Sequence, residues 1–140
     1  MADEFVGYEN LIRFIKARGL GEVDGDIVEI GAYMGGGTVK LAKFARMCGK
    51  KVYAIDVFDA SLDNTVSKQG IKAYEVYQAF LYGKPMLEVY KDTIRGFENI
   101  ITIKMDSREF KFPDAQKLVF GFIDGCHQNC LLYTSDAADE

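Results

Sequence analysis

Apolar residues recur at Phe5, Tyr8, Leu11, Ile12 and Ile15 with the three- and four-residue spacing of a single helix face, and the pattern stops at Arg18-Gly19. An amphipathic helix therefore opens the chain and is suited to covering one face of a sheet. Asp26 to Ile30 is a short apolar run that enters a glycine-rich turn at Gly31. From Thr38 the spacing becomes helical, with Leu41, Ala45 and Cys48 on one face and Gly49 as the stop. Lys51 to Asp56 follows as a second strand ending in an acid. Strand, loop, helix and strand within about thirty residues make a βαβ unit, the building block of a parallel α/β sheet.

Residues 57–70 are polar, with Asp59, Ser61, Asp63, Asn64 and Ser67, and predict a surface loop or lid with little to anchor a core. Helices are predicted from about Ile71 to Leu81 and from Pro85 to about Arg95, Pro85 favouring a first turn and Gly96 an end. Ile100 to Met105 forms a third strand before Asp106, and Leu118 to Ile123 a fourth before Asp124. Three of the four strands thus stop at an acid, Asp56, Asp106 or Asp124, while the first runs into the glycine loop. In open parallel α/β sheets ligands bind just beyond the carboxyl ends of the strands, so the pattern collects polar groups on one rim.

With 140 residues, 49% hydrophobic and 27% charged, the chain fits one globular domain around one core. A net charge of −4 with no basic cluster lacks the electrostatic footprint of a nucleic-acid binder. Short apolar runs and the acidic start Met1-Ala2-Asp3-Glu4 argue against a spanning helix or a cationic signal peptide, so no membrane partner is expected and the cytoplasm is the expected location. Cys48, Cys126 and Cys130 form no even framework and no CxxC pair, which points to free thiols rather than a disulfide scaffold or a zinc site.

Residues 130–140 break every earlier pattern and resemble translated sequencing-adapter sequence. They read as a non-native tail, and residues 1–129 as the N-terminal portion of a single domain that continues in the natural protein. Without Asp136, Asp139 and Glu140, the 17 Lys and Arg face 18 acids and the charge becomes −1.

The segment Glu29-Ile30-Gly31-Ala32-Tyr33-Met34-Gly35-Gly36-Gly37-Thr38 is the most informative, because glycines between a strand and a helix let backbone amides approach a ligand. Tyr33 stands where a dinucleotide fingerprint needs its second glycine, and no Gly-Lys-Ser/Thr follows, so neither a pyrophosphate turn nor a P-loop fits. A nucleoside-type ligand with a small charged group near the loop remains. Asp56, 25 residues past Gly31 at the end of the second strand, is placed to accept hydrogen bonds from ribose hydroxyls.

Val28-Glu29-Ile30-Gly31 with Gly35, Gly37 and Thr38, then Ala54-Ile55-Asp56, Met105-Asp106-Ser107 and Phe122-Ile123-Asp124-Gly125-Cys126-His127, resemble in order the motifs of class I S-adenosylmethionine-dependent methyltransferases. The closest likeness is to the group that includes macrocin O-methyltransferase-like and cephalosporin hydroxylase-like proteins, over roughly residues 22–129. The resemblance implies a Rossmann-like class I methyltransferase fold, here its parallel 3-2-1-4 part. It further implies that Glu29, Gly31, Tyr33, Gly35, Gly37 and Thr38 surround the methionyl part of S-adenosylmethionine, that Asp56 takes the ribose, and that Asp106 and Ser107 lie on the adenine side. Asp124 and His127 would be the catalytic groups, with Asp124 helping to hold a divalent cation such as Mg. Cys126 stands where relatives often carry another acid, a departure that weakens the metal pattern.

The implied reaction is in-line transfer of a methyl group to an oxygen of a small-molecule acceptor. Two other readings stay open. A nicotinamide-dependent oxidoreductase shares the βαβ logic but not Tyr33 in the loop; a non-catalytic nucleoside-cofactor-binding module of the cephalosporin hydroxylase-like type shares every motif. Single residues have plainer alternatives too: Glu29 as an acceptor for loop amides, Asp59 and Asp63 as solvated acids, His127 as an ordinary strand-end residue, and Tyr74, Tyr77 and Phe80 as core. Since the family order places further strands beyond the fourth, Leu118 to Ile123 is expected to be an exposed apolar edge, and the isolated chain to be marginally stable, prone to self-association and inactive.

Overall fold

The computed structural model describes residues 2–63 and 65–123, with side chains from Gly7 onward; Asp124, Cys126, His127 and the tail 130–140 lie outside the described residues. Four strands, β1 (Asp26–Ile30), β2 (Val52–Asp56), β3 (Ile100–Lys104) and β4 (Leu118–Ile123), form one parallel sheet in the order β3-β2-β1-β4. This is a Rossmann-like α/β arrangement with the 3-2-1-4 order expected. Register pairs Ile30 with Ile55 and with Ile123, and Asp56 with Lys104, so the carboxyl ends of all four strands share one rim. Among the described residues no helix is long and apolar enough to cross a membrane.

Helices α1 (Ala2–Ala17) and α2 (Gly36–Met47) pack together with the sheet, burying Tyr8, Ile15, Leu41, Phe44 and Ala45 against Ile27 and Val52. Each fully buried aliphatic side chain of this kind is worth about 1.5–3 kcal/mol of transfer free energy. Gly49 ends α2 at φ 68, with its amide on the Arg46 carbonyl and the Lys50 amide on the Ala45 carbonyl, the paired bonds of a Schellman cap. A second cluster gathers Ala32, Ala54, Phe58, Ala60, Leu81, Met86 and Tyr90 under helices α3 (Ala73–Leu81) and α4 (Met86–Thr93).

Two local expectations change. The polar stretch after β2 does anchor the core: Phe58 and Ala60 are buried, the latter within a short 3₁₀ turn, Ala60–Leu62, whose start is capped by the Asp59 carboxylate accepting from the Ser61 amide. In α3 only Leu81 is buried; Tyr77 is half-buried, and Tyr74 and Phe80 are 39% and 44% exposed. The apolar arc of this helix is wider than the surface it covers, so periodicity alone overstates its burial.

Candidate functional site

Glu29 is the penultimate residue of β1 and is fully buried. Its Oε2 accepts from the Tyr8 hydroxyl at 2.6 Å and its Oε1 from the Thr38 hydroxyl. Glu29 and Thr38, both predicted cofactor contacts, thus lie beneath the loop and join β1, α1 and the first turn of α2. Both of these donors are hydroxyls.

Gly31 takes φ 96 and donates its amide to the Ile55 carbonyl at 2.9 Å, which ties the start of the loop to β2. Gly35 takes φ 90, and a Cβ there would meet Tyr90 Cδ2 at 3.1 Å and Ile94 Cγ2 at 3.2 Å. Gly37 is tighter still, with Tyr8 ring atoms where its Cβ would be. Packing against two tyrosine rings therefore demands two of the glycines before any ligand is considered. Gly36, between them, is exposed. Gly35 gives α2 no capping side chain.

Asp56 closes β2, and both its oxygens are engaged by backbone. Oδ2 accepts from the Tyr33 amide and Oδ1 from the Phe58 amide, each at 2.9 Å. Tyr33 and Phe58 lie at φ 51 and φ 54, the left-handed region that costs a side-chain-bearing residue about 1–2 kcal/mol. Each is held there by its ring. Tyr33 packs on Tyr77 with centroids 5.5 Å apart, and Phe58 on Tyr90 at 4.5 Å. Strain retained beside an acid on the ligand rim is the kind of outlier that points to function. Tyr90, fully buried, therefore supports both loops, and its hydroxyl shares a 2.9 Å hydrogen bond with Thr102 of β3. Burial, reinforced by the negative charges of Glu29 and Asp56, pushes the Tyr90 phenol up to about 12.

The Met105 amide donates to the Asp56 carbonyl at 3.0 Å and brings Asp106 to the same rim. Asp106 accepts from Arg108 Nε at 3.0 Å, from Arg108 Nη2 at 2.5 Å and from the Arg108 amide at 2.9 Å. The guanidinium holds its carboxyl below the usual carboxylate range. Ser107 follows in the turn, half-buried. Gly31, Tyr33, Gly35, Asp56, Asp106 and Ser107 thus come to one rim, while Glu29 and Thr38 lie below it. Asp124 and His127, the expected catalytic pair, and the cation assigned to Asp124 fall outside the described residues, among which no group of three His, Cys, Asp or Glu is placed to hold a metal.

Sequence reasoning missed Tyr8, Phe58, Tyr77 and Tyr90 as builders of this rim. Tyr8 and Tyr77 had been visible only as apolar helix positions, and nothing in the sequence marks Phe58 as left-handed. At the opposite rim lies a polar cleft of 480 Å³ between the start of β1 and the end of α2. There the Lys50 ammonium, nearly buried, donates to the carbonyls of Val23 and, at 2.8 Å, Gly25, which makes it a structural cation. Compared with models of protein families and with curated proteins, the chain matches none.

Proposed function

We propose that the chain forms the nucleoside-binding portion of an S-adenosylmethionine-dependent methyltransferase acting on an oxygen of a small-molecule acceptor. The observation that supports this most is the Asp56 carboxylate, fixed by two strained backbone amides beside a glycine loop on the neighbouring strand. Two carboxylate oxygens offer about four acceptor positions, of which the backbone uses two, so capacity remains for vicinal ribose hydroxyls. The cofactor's methionyl carboxylate suits the uncapped start of α2, where the helix dipole is positive. Asp106 keeps its charge for the adenine side but shares both oxygens with Arg108.

When bound, S-adenosylmethionine supplies a methyl group activated by its positive sulfur. The part this chain plays is binding and orientation: a preset ribose acceptor and a loop whose glycine positions are fixed by Tyr8 and Tyr90 hold the nucleoside in one pose. Alignment of this kind removes roughly 7–11 kcal/mol from a bimolecular barrier. Asp124, His127 and a cation such as Mg enter only through the family resemblance, as assistance to ionisation of the acceptor hydroxyl.

Calorimetric titration with S-adenosylmethionine, its demethylated product and NAD tests this reading. Asp56→Ala is expected to cost on the order of 1.5–3 kcal/mol of affinity for the first two, the loss of a charge-assisted contact. Binding of NAD alone would favour an oxidoreductase instead.

A further inference from the structure

Tyr33 has two constraints that meet in one residue. Its amide points at Asp56 Oδ2, and its ring lies on Tyr77 of α3, tilted by 31°. Tyr77 is itself tethered, its hydroxyl donating to Asp63 Oδ2 at 3.4 Å, while the other oxygen of Asp63 accepts from the Thr65 amide. Right-handed and extended backbone are lower in energy for a tyrosine than φ 51, and because the Gly35 amide on the Ala32 carbonyl closes the turn around Tyr33, a change of its φ has to be taken up by the peptide plane that carries its amide. The ring contact with Tyr77 is a gain specific to the left-handed state. Tyr77 does not touch Asp56 in any described contact, yet it sits at the far end of the chain of contacts that orients it.

We propose that Tyr77 is a positioning residue for the ribose acceptor: through the ring of Tyr33 it holds the Tyr33 amide on Asp56, so a residue of α3 sets the plane of a carboxylate that it does not itself contact. The coupling stands on geometry alone; its consequence for ligands rests on the nucleoside reading. A carboxylate fixed in one plane reads two vicinal hydroxyls together, whereas one released to rotate reads either singly. Loss of Tyr77 should therefore erode discrimination between a ribonucleoside and its 2′-deoxy analogue more than it erodes binding as such.

The experiment is residue-resolved amide hydrogen exchange on the whole chain, with Tyr77→Ala, Tyr77→Leu and Tyr77→Phe beside the parent. Tyr77→Ala is expected to speed exchange at the Tyr33 amide about tenfold or more, with the Gly31 amide, bonded to Ile55, unchanged. Tyr77→Phe, which keeps the ring and removes the hydroxyl with its long contact to Asp63, should restore the parent's protection at Tyr33; Tyr77→Leu serves where the alanine variant fails to fold. Equal exchange at Tyr33 in parent and ring-less variants overturns the proposal, and so does a uniform rise at Tyr33 and Gly31 together. Calorimetry with S-adenosylhomocysteine and its 2′-deoxy analogue supplies the second arm. The preference of the parent for the ribonucleoside should shrink in Tyr77→Ala, and no further loss of preference should appear when Asp56→Ala is added; an undiminished preference counts against the coupling. A parent that binds neither nucleoside sinks the functional reading, and exchange at Tyr33 then decides the coupling by itself.

Discussion

The ring of Tyr8 occupies the space that a side chain at Gly37 would need: an ideal Cβ there lies 2.1 Å from Tyr8 Cζ. Since the Tyr8 hydroxyl is also bound to buried Glu29, the ring cannot swing aside without breaking that bond. Gly37→Ala is therefore expected to destabilise the chain by about 1–3 kcal/mol, the cost of overpacking, and to lower the thermal midpoint. Gly7, one residue before Tyr8 in the same helix, has no heavy atom near its Cβ position and no left-handed φ. Gly7→Ala should raise the midpoint, by roughly 0.5–1 kcal/mol of stability, because alanine restricts the unfolded helix segment more than glycine does. Equal responses at the two positions would refute the packing argument.

Tyr90 makes the fold sensitive to alkali. Its phenol is raised from 10.0 to about 12 by burial and by the nearby negative charges of Glu29 and Asp56. A group whose folded-state value is raised contributes stability that is whole below the unfolded value and disappears as pH climbs through the folded one. Stability should therefore fall between pH 10 and about 12, by an amount approaching 3 kcal/mol from this group. Denaturant titrations across that range should show a shallower decline in Tyr90→Phe than in the parent; parallel curves would remove Tyr90 as the cause.

The sheet was largely legible. β1 and β4 begin and end where the apolar runs predict, and β2 and β3 differ by one residue at one end. Runs bounded by glycine and acids are strong signals because a buried parallel strand has few polar alternatives. The clamp on Asp56 was not legible, since it depends on Tyr33 and Phe58 adopting a backbone conformation that their own side chains disfavour. Ring contacts with Tyr77 and Tyr90, distant in sequence, help to offset that cost. Gly35 and Gly37 were legible as a glycine loop but not in their purpose, because the rings that exclude side chains there come from α4 and α1.

The Asp106–Arg108 pair should matter little to stability and only above the carboxylate range. With its carboxyl held down by the guanidinium, Asp106 contributes stability above the unfolded value of a carboxyl, and loses it as pH falls through the depressed folded one. Arg108→Ala is expected to cost at most about 1 kcal/mol at neutral pH, since the arginine side chain is half exposed. The difference from the parent should vanish in acid. A gap that persists in strong acid would assign the effect of Arg108 to contacts other than that with Asp106.

Asp56 should prove structural as well as ligand-binding, and the amide variant separates the two roles. Asparagine has nearly the shape of aspartate but only one acceptor oxygen, so Asp56→Asn must turn an NH₂ group toward either the Tyr33 amide or the Phe58 amide, both of which donate. One part-buried donor is then left unmet, at a cost on the order of 1–3 kcal/mol. The residue that loses its acceptor also loses a reason to stay left-handed, so the change should spread into its loop. Asp59→Asn is the control: that carboxylate lies on the exposed 3₁₀ cap and accepts from Ser61 through Oδ1 alone, a bond that the asparagine oxygen can replace. Chemical denaturation of both variants without any ligand should show Asp56→Asn clearly less stable than the parent and Asp59→Asn close to it. Equal stability of Asp56→Asn and the parent would mean that the two amides find other acceptors, and that the clamp does not organise the rim.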